Sequence, residues 1–275
     1  MILHSSGSMP RRAIVLAGCL MLLGCNLARV TGDATWTPPA STPRPAEAEG
    51  WKTLAPGMER RDMTVQTGAL KTEAVVIRLD PSVVVLRVHY RPGDPQLLDE
   101  WQAQLPDADL IVNGAFFDET DHALGLIIND GTAMGQTLSG FGGMLQVDTA
   151  GGTRVRSLVG EPYGGEGLQQ AVQGFPMLIE AGGVMAPQGD GFDERSRRTA
   201  VGQDRTGRIL FISIPYGFVS LAELQDWLMS SGLDLNIAFG LDGGRSTGML
   251  IHVPGNEEAF PAMDTLPSVV AAYAP

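Results

Sequence analysis

The chain has 275 residues, 44% hydrophobic and 18% charged, and carries a formal net charge of −12. That length supports one sizeable core and is short for two comfortable domains. The acidic balance, with no basic stripe anywhere, argues against non-specific nucleic-acid binding, which rewards clustered Lys and Arg; 35 glycines with only 6% aromatic residues suggest turns and strands rather than a helical bundle.

The chain opens like a secretory leader. Arg11 and Arg12 precede an uninterrupted apolar stretch, residues 13–24. Those twelve residues fall short of the roughly 20 needed to span a bilayer but suit a signal-peptide core. Two lipoprotein-type cleavage sites follow one another, Leu16-Ala17-Gly18-Cys19 and Leu22-Leu23-Gly24-Cys25. Cleavage before Cys19 would leave six apolar residues after the arginines, so Cys25 is the expected lipid-carrying thiol. An ordinary signal peptide with incidental cysteines is the competing reading. Removing residues 1–24, which hold two arginines and no acid, takes the charge from −12 to −14. The mature chain then holds one cysteine, acylated and unable to form a disulfide. Residues 25–50 are rich in Pro, Thr and Ala (Thr37-Pro38-Pro39-Ala40-Ser41-Thr42-Pro43-Arg44-Pro45) and read as a tether. At about 3 Å per residue it reaches roughly 70 Å from the membrane.

Residues 51–275 are expected to form one α+β domain, a mixed and mostly antiparallel sheet with a few flanking helices. Residues 74–79 and 83–88 are β-branched runs around Asp80-Pro81 and suggest a strand pair. Asp94-Pro95 suggests a helix to Gln104 with Pro95 at its first position. Residues 109–112 read as a strand running into Asn113-Gly114. Further strands are expected at 125–128, 143–147, 172–180 and 199–203, the last pairing with 208–214 across Asp204-Arg205-Thr206-Gly207. Ser220-Leu221-Ala222-Glu223 is a capping box opening a helix over 221–231, with Leu221, Leu224 and Leu228 as its apolar stripe. The nearly all-apolar run 235–241 reads as a strand buried on both faces, and it delivers Asp242-Gly243-Gly244 before β structure resumes at 247–252.

Four segments carry chemical interest. Asn113-Gly114-Ala115-Phe116-Phe117-Asp118 offers an amide at a strand end and two rings for an apolar wall; an Asn-Gly turn with core aromatics is the plain alternative. Arg195-Ser196-Arg197-Arg198-Thr199 places three guanidinium groups, suited to bidentate phosphate or carboxylate, in a chain short of positive charge; a solvated run paired to Asp193 and Glu194 competes. Asp242-Gly243-Gly244-Arg245-Ser246-Thr247 combines a carboxylate with glycines whose amides can approach a ligand, although Asp-Gly is also an ordinary hairpin turn. Val172-Gln173-Gly174-Phe175-Pro176-Met177-Leu178 could shape a pocket edge or simply turn between core strands. His89, His122 and His252 lack ligand spacing, and no nucleophile-elbow, Walker or dinucleotide fingerprint occurs. No cofactor and no metal is expected.

In order and spacing these segments resemble the phosphodiester glycosidase family, whose domain is shared with the lysosomal mannose-6-phosphate uncovering enzyme. The resemblance spans about residues 110–250. It comprises Asn113 to Asp118, Leu124-Gly125-Leu126-Ile127-Ile128 before Asp130-Gly131, Gly174 to Leu178, Arg198-Thr199-Ala200-Val201-Gly202, and Leu241 to Thr247. It implies hydrolysis of the glycosidic bond of a sugar-1-phosphodiester in the cell envelope. Asn113, Arg198 and Asp242 are then the catalytic-site residues, and Gly243, Gly244, Ser246, Phe117, Asp118 and Thr199 the substrate contacts. Two departures stand out: Arg245 replaces a small residue, and Pro215-Tyr216-Gly217-Phe218 replaces a glycine-rich approach to the helix.

On this reading Asp242 acts as nucleophile or base at the anomeric carbon, Arg198 clamps the phosphate, and Asn113 orients Asp242 or a sugar hydroxyl. The Gly243 and Gly244 amides bind nearby oxygens. A second carboxylate, if two are used, would be Asp118, Asp193 or Glu59. The rival readings are a non-catalytic envelope module binding a sugar-phosphate or anionic glycopolymer, and a metal-dependent phosphodiesterase built on Asp118, Asp193 and Asp242.

Overall fold

The apolar runs of residues 50–275 organise into three sheets. The computed structural model describes residues 50–68 and 70–275, which fall within one compact unit, Pro45–Pro275. The leader, Cys25 and the tether up to residue 49 lie outside the described residues.

The largest sheet has eight strands, in the order Lys52–Ala55, Met58–Thr67, Leu70–Leu79, Ile209–Val219, Ser196–Asp204, Leu235–Gly240, Met177–Glu180 and Val184–Met185. A five-stranded sheet runs Thr132–Met134, Ile127–Asn129, Leu168–Gly174, Gly143–Asp148, Thr153–Ser157. The other five-stranded sheet runs Glu258–Phe260, Met249–Ile251, Leu110–Asn113, Ser268–Tyr273, Val85–Tyr90. Neighbours pair antiparallel throughout. The expected single mixed sheet is therefore three antiparallel ones. With only two α-helices among the described residues, Leu98–Gln104 and Leu221–Ser230, the architecture is largely β. Neither helix is long and apolar enough to cross a membrane.

The main core lies between the large sheet and the two smaller ones, where Phe211, Phe239 and Ile77 meet Leu145, Val172, Leu110 and Met249. A second core lies on the other face of the large sheet, under Leu224, Trp227 and Leu228 of the capped helix. The strand Leu235–Gly240 serves both, with Ile237 and Phe239 facing the first and Leu235 and Ala238 the second. That accounts for its nearly all-apolar composition, the exception being Asn236, whose Oδ1 accepts from the Gly182 amide at 3.1 Å. Burying a ring as fully as Phe239 contributes about 1.5–3 kcal/mol.

Three local expectations change. Leu70–Leu79 and Val85–Tyr90 join different sheets instead of pairing with each other. The amides of Val83 and Val84 both donate to the Asp80 carbonyl, a turn that leads the chain away. The first helix begins at Leu98, not Pro95, because Gln96 exchanges two backbone hydrogen bonds with Leu266 and stays extended. The Glu100 carboxylate accepts from the Leu97 amide at 2.7 Å and sets the helix start. The run 172–180 is two strands in two sheets, Leu168–Gly174 and Met177–Glu180, joined through a cis Phe175–Pro176 peptide. Glycine is required at the junction: a Cβ on Gly174 would stand 2.4 Å from the Gly240 carbonyl oxygen.

Candidate active site

Three strands from two sheets end together. Leu110–Asn113 belongs to one small sheet, and Ser196–Asp204 and Leu235–Gly240 to the large one. Asn113 joins them. Fully buried, it donates from Nδ2 to the main-chain oxygen of Asp242 at 2.7 Å, and its Oδ1 accepts from the Thr199 hydroxyl at 2.7 Å and the Gly248 amide at 3.1 Å. The Asp242 amide in turn donates to the Gly114 carbonyl at 3.2 Å. Asn113 thus spends its hydrogen bonds on backbone and hydroxyl groups. It positions the Asp242 loop from a fully buried place.

Asp242 leaves the buried strand half-buried, its Oδ1 accepting from the Gly243 amide at 2.8 Å. Loss of water around the carboxyl pushes its pKa up to about 6. The Ser246 hydroxyl and Gly243 amide pull it down, and the Asp264 charge adds to the rise. Gly244 adopts φ +60°, a left-handed conformation that favours glycine.

The three arginines separate into three roles. Arg195 forms an ion pair with Glu223 on the capped helix. Arg197 is buried and donates to the Thr247 and Pro261 carbonyls. Arg198 is half-buried and is held by carbonyls alone, those of Val219 at 2.9 Å and Glu194. Among the described residues no carboxylate forms an ion pair with it. Burial lowers its pKa and the Glu194 charge pulls it back up; the guanidinium stays ionised.

Arg198, Thr199, Leu241 and Gly243 form one wall of a cavity of about 800 Å³. Leu241 and Gly243, the chain neighbours of Asp242, line it, whereas Asp242 itself is not among the lining residues. Asn113, Gly244, Ser246, Phe117 and Asp118 do not line it. Of the paired phenylalanines, Phe116 faces the cavity, while Phe117 forms a bridge with Ala123. Asp118 is exposed and closes its own turn, accepting from the Thr120 hydroxyl and the Thr120 and His122 amides. Those bonds, the Thr120 hydroxyl first, hold its pKa below the usual carboxylate value.

The proposed second carboxylates are elsewhere. Glu59 pairs with Arg78 at 2.5 Å, and Asp193 is exposed and outside the lining. The carboxylates that do line the cavity are Glu180, Asp190 and Glu194. None of the three forms an ion pair among the described residues. Sequence reading missed them because each sits in an unremarkable turn or strand end. Asp118, Asp193 and Asp242 are not gathered as a metal site; no cluster of three or more His, Cys, Asp or Glu suited to a metal occurs among the described residues. Arg245 turns away from the cavity, reaching Asp264 at 2.7 and 2.8 Å and the Met263 carbonyl at 3.0 Å.

An antiparallel sandwich thus sets Gly243 of the Asp-Gly-Gly loop and Arg198 on one cavity. The family model for phosphodiester glycosidases matches residues 107–271, and the chain belongs to that family. Solved structures share the fold. The zebrafish N-acetylglucosamine-1-phosphodiester alpha-N-acetylglucosaminidase catalytic domain, auto-inhibited by its pro-peptide, is 18% identical with a TM-score of 0.64, over 82% of this chain and 86% of that one. A hypothetical protein from Synechocystis is 13% identical with a TM-score of 0.63, over 84% of this chain and 65% of that one, a little under two thirds of its length. A Burkholderia pseudomallei protein described as a candidate exported protein is 13% identical with a TM-score of 0.56, over 74% of each chain. No curated protein matches the chain significantly.

Proposed function

We propose that the protein hydrolyses the glycosidic bond of a sugar-1-phosphodiester, releasing the sugar and leaving a phosphomonoester. The observation that carries this reading is that Arg198, which has no carboxylate partner among the described residues, lines a cavity together with Leu241 and Gly243, the chain neighbours of a carboxyl raised to about 6. The transition state is oxocarbenium-like, and the departing phosphate is already stable as an anion. One carboxylate and one phosphate clamp therefore supply the main charges. Ionised Asp242 either attacks the anomeric carbon, forming a glycosyl ester that water then hydrolyses to free the sugar, or takes the proton of the water that attacks directly. The C1–O bond breaks with its electron pair on the phosphate oxygen, where Arg198 offsets the charge.

The Asn113 contacts support this assignment by fixing the Asp242 main chain from two sheets at once. Ser246 and Gly244 act as supports of the loop, one by its effect on the Asp242 carboxyl, the other by its left-handed turn. We place the protein on the outer side of the membrane, anchored by lipid on Cys25 through the residue 25–50 tether; labelling with a radioactive fatty acid that survives Cys25→Ser sinks the anchor assignment. For the chemistry, Asp242→Asn is expected to stay folded and lose release of sugar from a sugar-1-phosphodiester. Wild-type kcat/KM rises with pH through about 6, as Asp242 ionises. Full activity in the Asn variant, or a falling limb near that pH, overturns the role given to Asp242.

A further inference from the structure

The cavity that Arg198 lines also carries a surface of three rings. Phe116 and Phe175 stack at 4.2 Å and 16°, and Phe141 tilts onto Phe175 at 5.2 Å and 41°. All three line the cavity, and Phe141 is 48% exposed. The rings come from three separate segments, and the one carrying Phe141 is a glycine-flanked loop. Buried Gln173 holds that loop: its Nε2 donates to the Leu138 and Phe141 carbonyls at 2.9 and 3.1 Å, and its Oε1 accepts from the Leu126 and Leu138 amides at 3.2 and 3.0 Å. A large exposed ring is therefore carried at the cavity on a loop held by three of the four Gln173 hydrogen bonds, the fourth coming from Leu126.

Building on the hydrolase reading, we infer that this Phe116–Phe175–Phe141 wall is a sugar platform, seating the C–H face of a neutral or amino-bearing pyranose whose phosphate lies at Arg198. Flat aromatic faces suit the apolar face of a pyranose, and their negative quadrupole favours its polarised C–H groups. The remaining sugar hydroxyls need acceptors, and Glu180, Asp190 and Glu194, which form no ion pair among the described residues, line the same cavity and provide them. These carboxylates decide between occupants. An alkyl chain would strip water from them without replacing its hydrogen bonds. A uronic acid or a second phosphate would meet like charge, whereas an amino sugar would gain an ion pair.

The test uses the full-length protein and ligand-detected saturation-transfer NMR with methyl α-glucopyranoside, glucosamine, methyl α-glucuronide and octyl phosphate. The ring protons of the first two are expected to take up saturation, and the glucuronide to take up less. Phe141→Ala, at an exposed position that the fold tolerates, reduces the transfer about fivefold and Phe141→Trp restores it. On a sugar-1-phosphodiester the Ala variant raises KM by about the same factor with kcat unchanged. Transfer undiminished in Phe141→Ala, glucuronide bound as well as glucoside, or octyl phosphate bound in place of sugar overturns the platform. So does the absence of transfer to any sugar. Sugar binding without hydrolysis by the wild type removes the hydrolase and leaves the platform; hydrolysis with an unchanged KM in Phe141→Ala does the reverse.

Discussion

The two walls of the cavity are built on different principles. The arginine wall is cut from the ends of two strands of the large sheet and tied to a third strand, in another sheet, by the hydrogen bonds of Asn113 to Asp242, Thr199 and Gly248. The aromatic wall depends on loops, and its outermost ring is fixed by one glutamine. Groups that must meet a reacting bond benefit from placement on rigid strands. Groups that recognise the rest of a ligand can sit on loops, which change without dismantling the core. Damage to the first wall should therefore appear in kcat and in stability, and damage to the second in KM.

The largest expected effect is that of Asp242→Asn, a loss of turnover on the order of 10³-fold. Its stability moves the other way. Because the folded-state pKa is raised to about 6, ionising Asp242 costs stability above that pH, whereas below the unfolded-state value the carboxyl is neutral in both states. The variant should be more stable than wild type at pH 8 by about 1–2 kcal/mol, a figure reduced for partial exposure, and equal to it near pH 3. Denaturant midpoints at the two pH values measure the difference. A variant less stable at pH 8 would contradict the burial of this carboxyl.

Asn113→Ala comes next. It strands a buried hydroxyl, an amide and a carbonyl, and should cost about 2–4 kcal/mol with kcat falling alongside. Urea unfolding and steady-state kinetics check both; a drop in stability with unchanged kcat would separate the scaffold from the chemistry. Gln173→Ala should cost about 1–3 kcal/mol and raise KM while sparing kcat, since it frees the Phe141 loop and leaves the Asp242 loop alone. The smallest effect belongs to Arg245→Ala. An exposed pair facing away from the cavity should leave kcat/KM within about twofold on every substrate tried. A change of specificity there would bring Arg245 back to the site.

Much of this architecture follows from local pattern. The capping box sets the start of the helix Leu221–Ser230, and Ser220 and Glu223 exchange the bonds that its residue types imply. The nearly all-apolar run ending at Gly240 called for burial on both faces, and two cores supply it. The order of the motifs was enough to suggest the family that the match over residues 107–271 now shows. Such features depend on a few consecutive residues, whose spacing or hydrogen bonding is the same in any context.

Other features rest on contacts between segments far apart in the chain. Nothing near Phe116 and Phe117 tells which ring meets Phe175, and nothing near Arg245 announces Asp264 as its partner. Glu180, Asp190 and Glu194 share a cavity only because a hairpin and a loop fold toward Arg198. Phe141 had one local sign, a lone aromatic among glycines. Asp242 shows the division most clearly. Its place at the end of a buried strand was written in the sequence, but its proton affinity was decided by the water that tertiary packing removes.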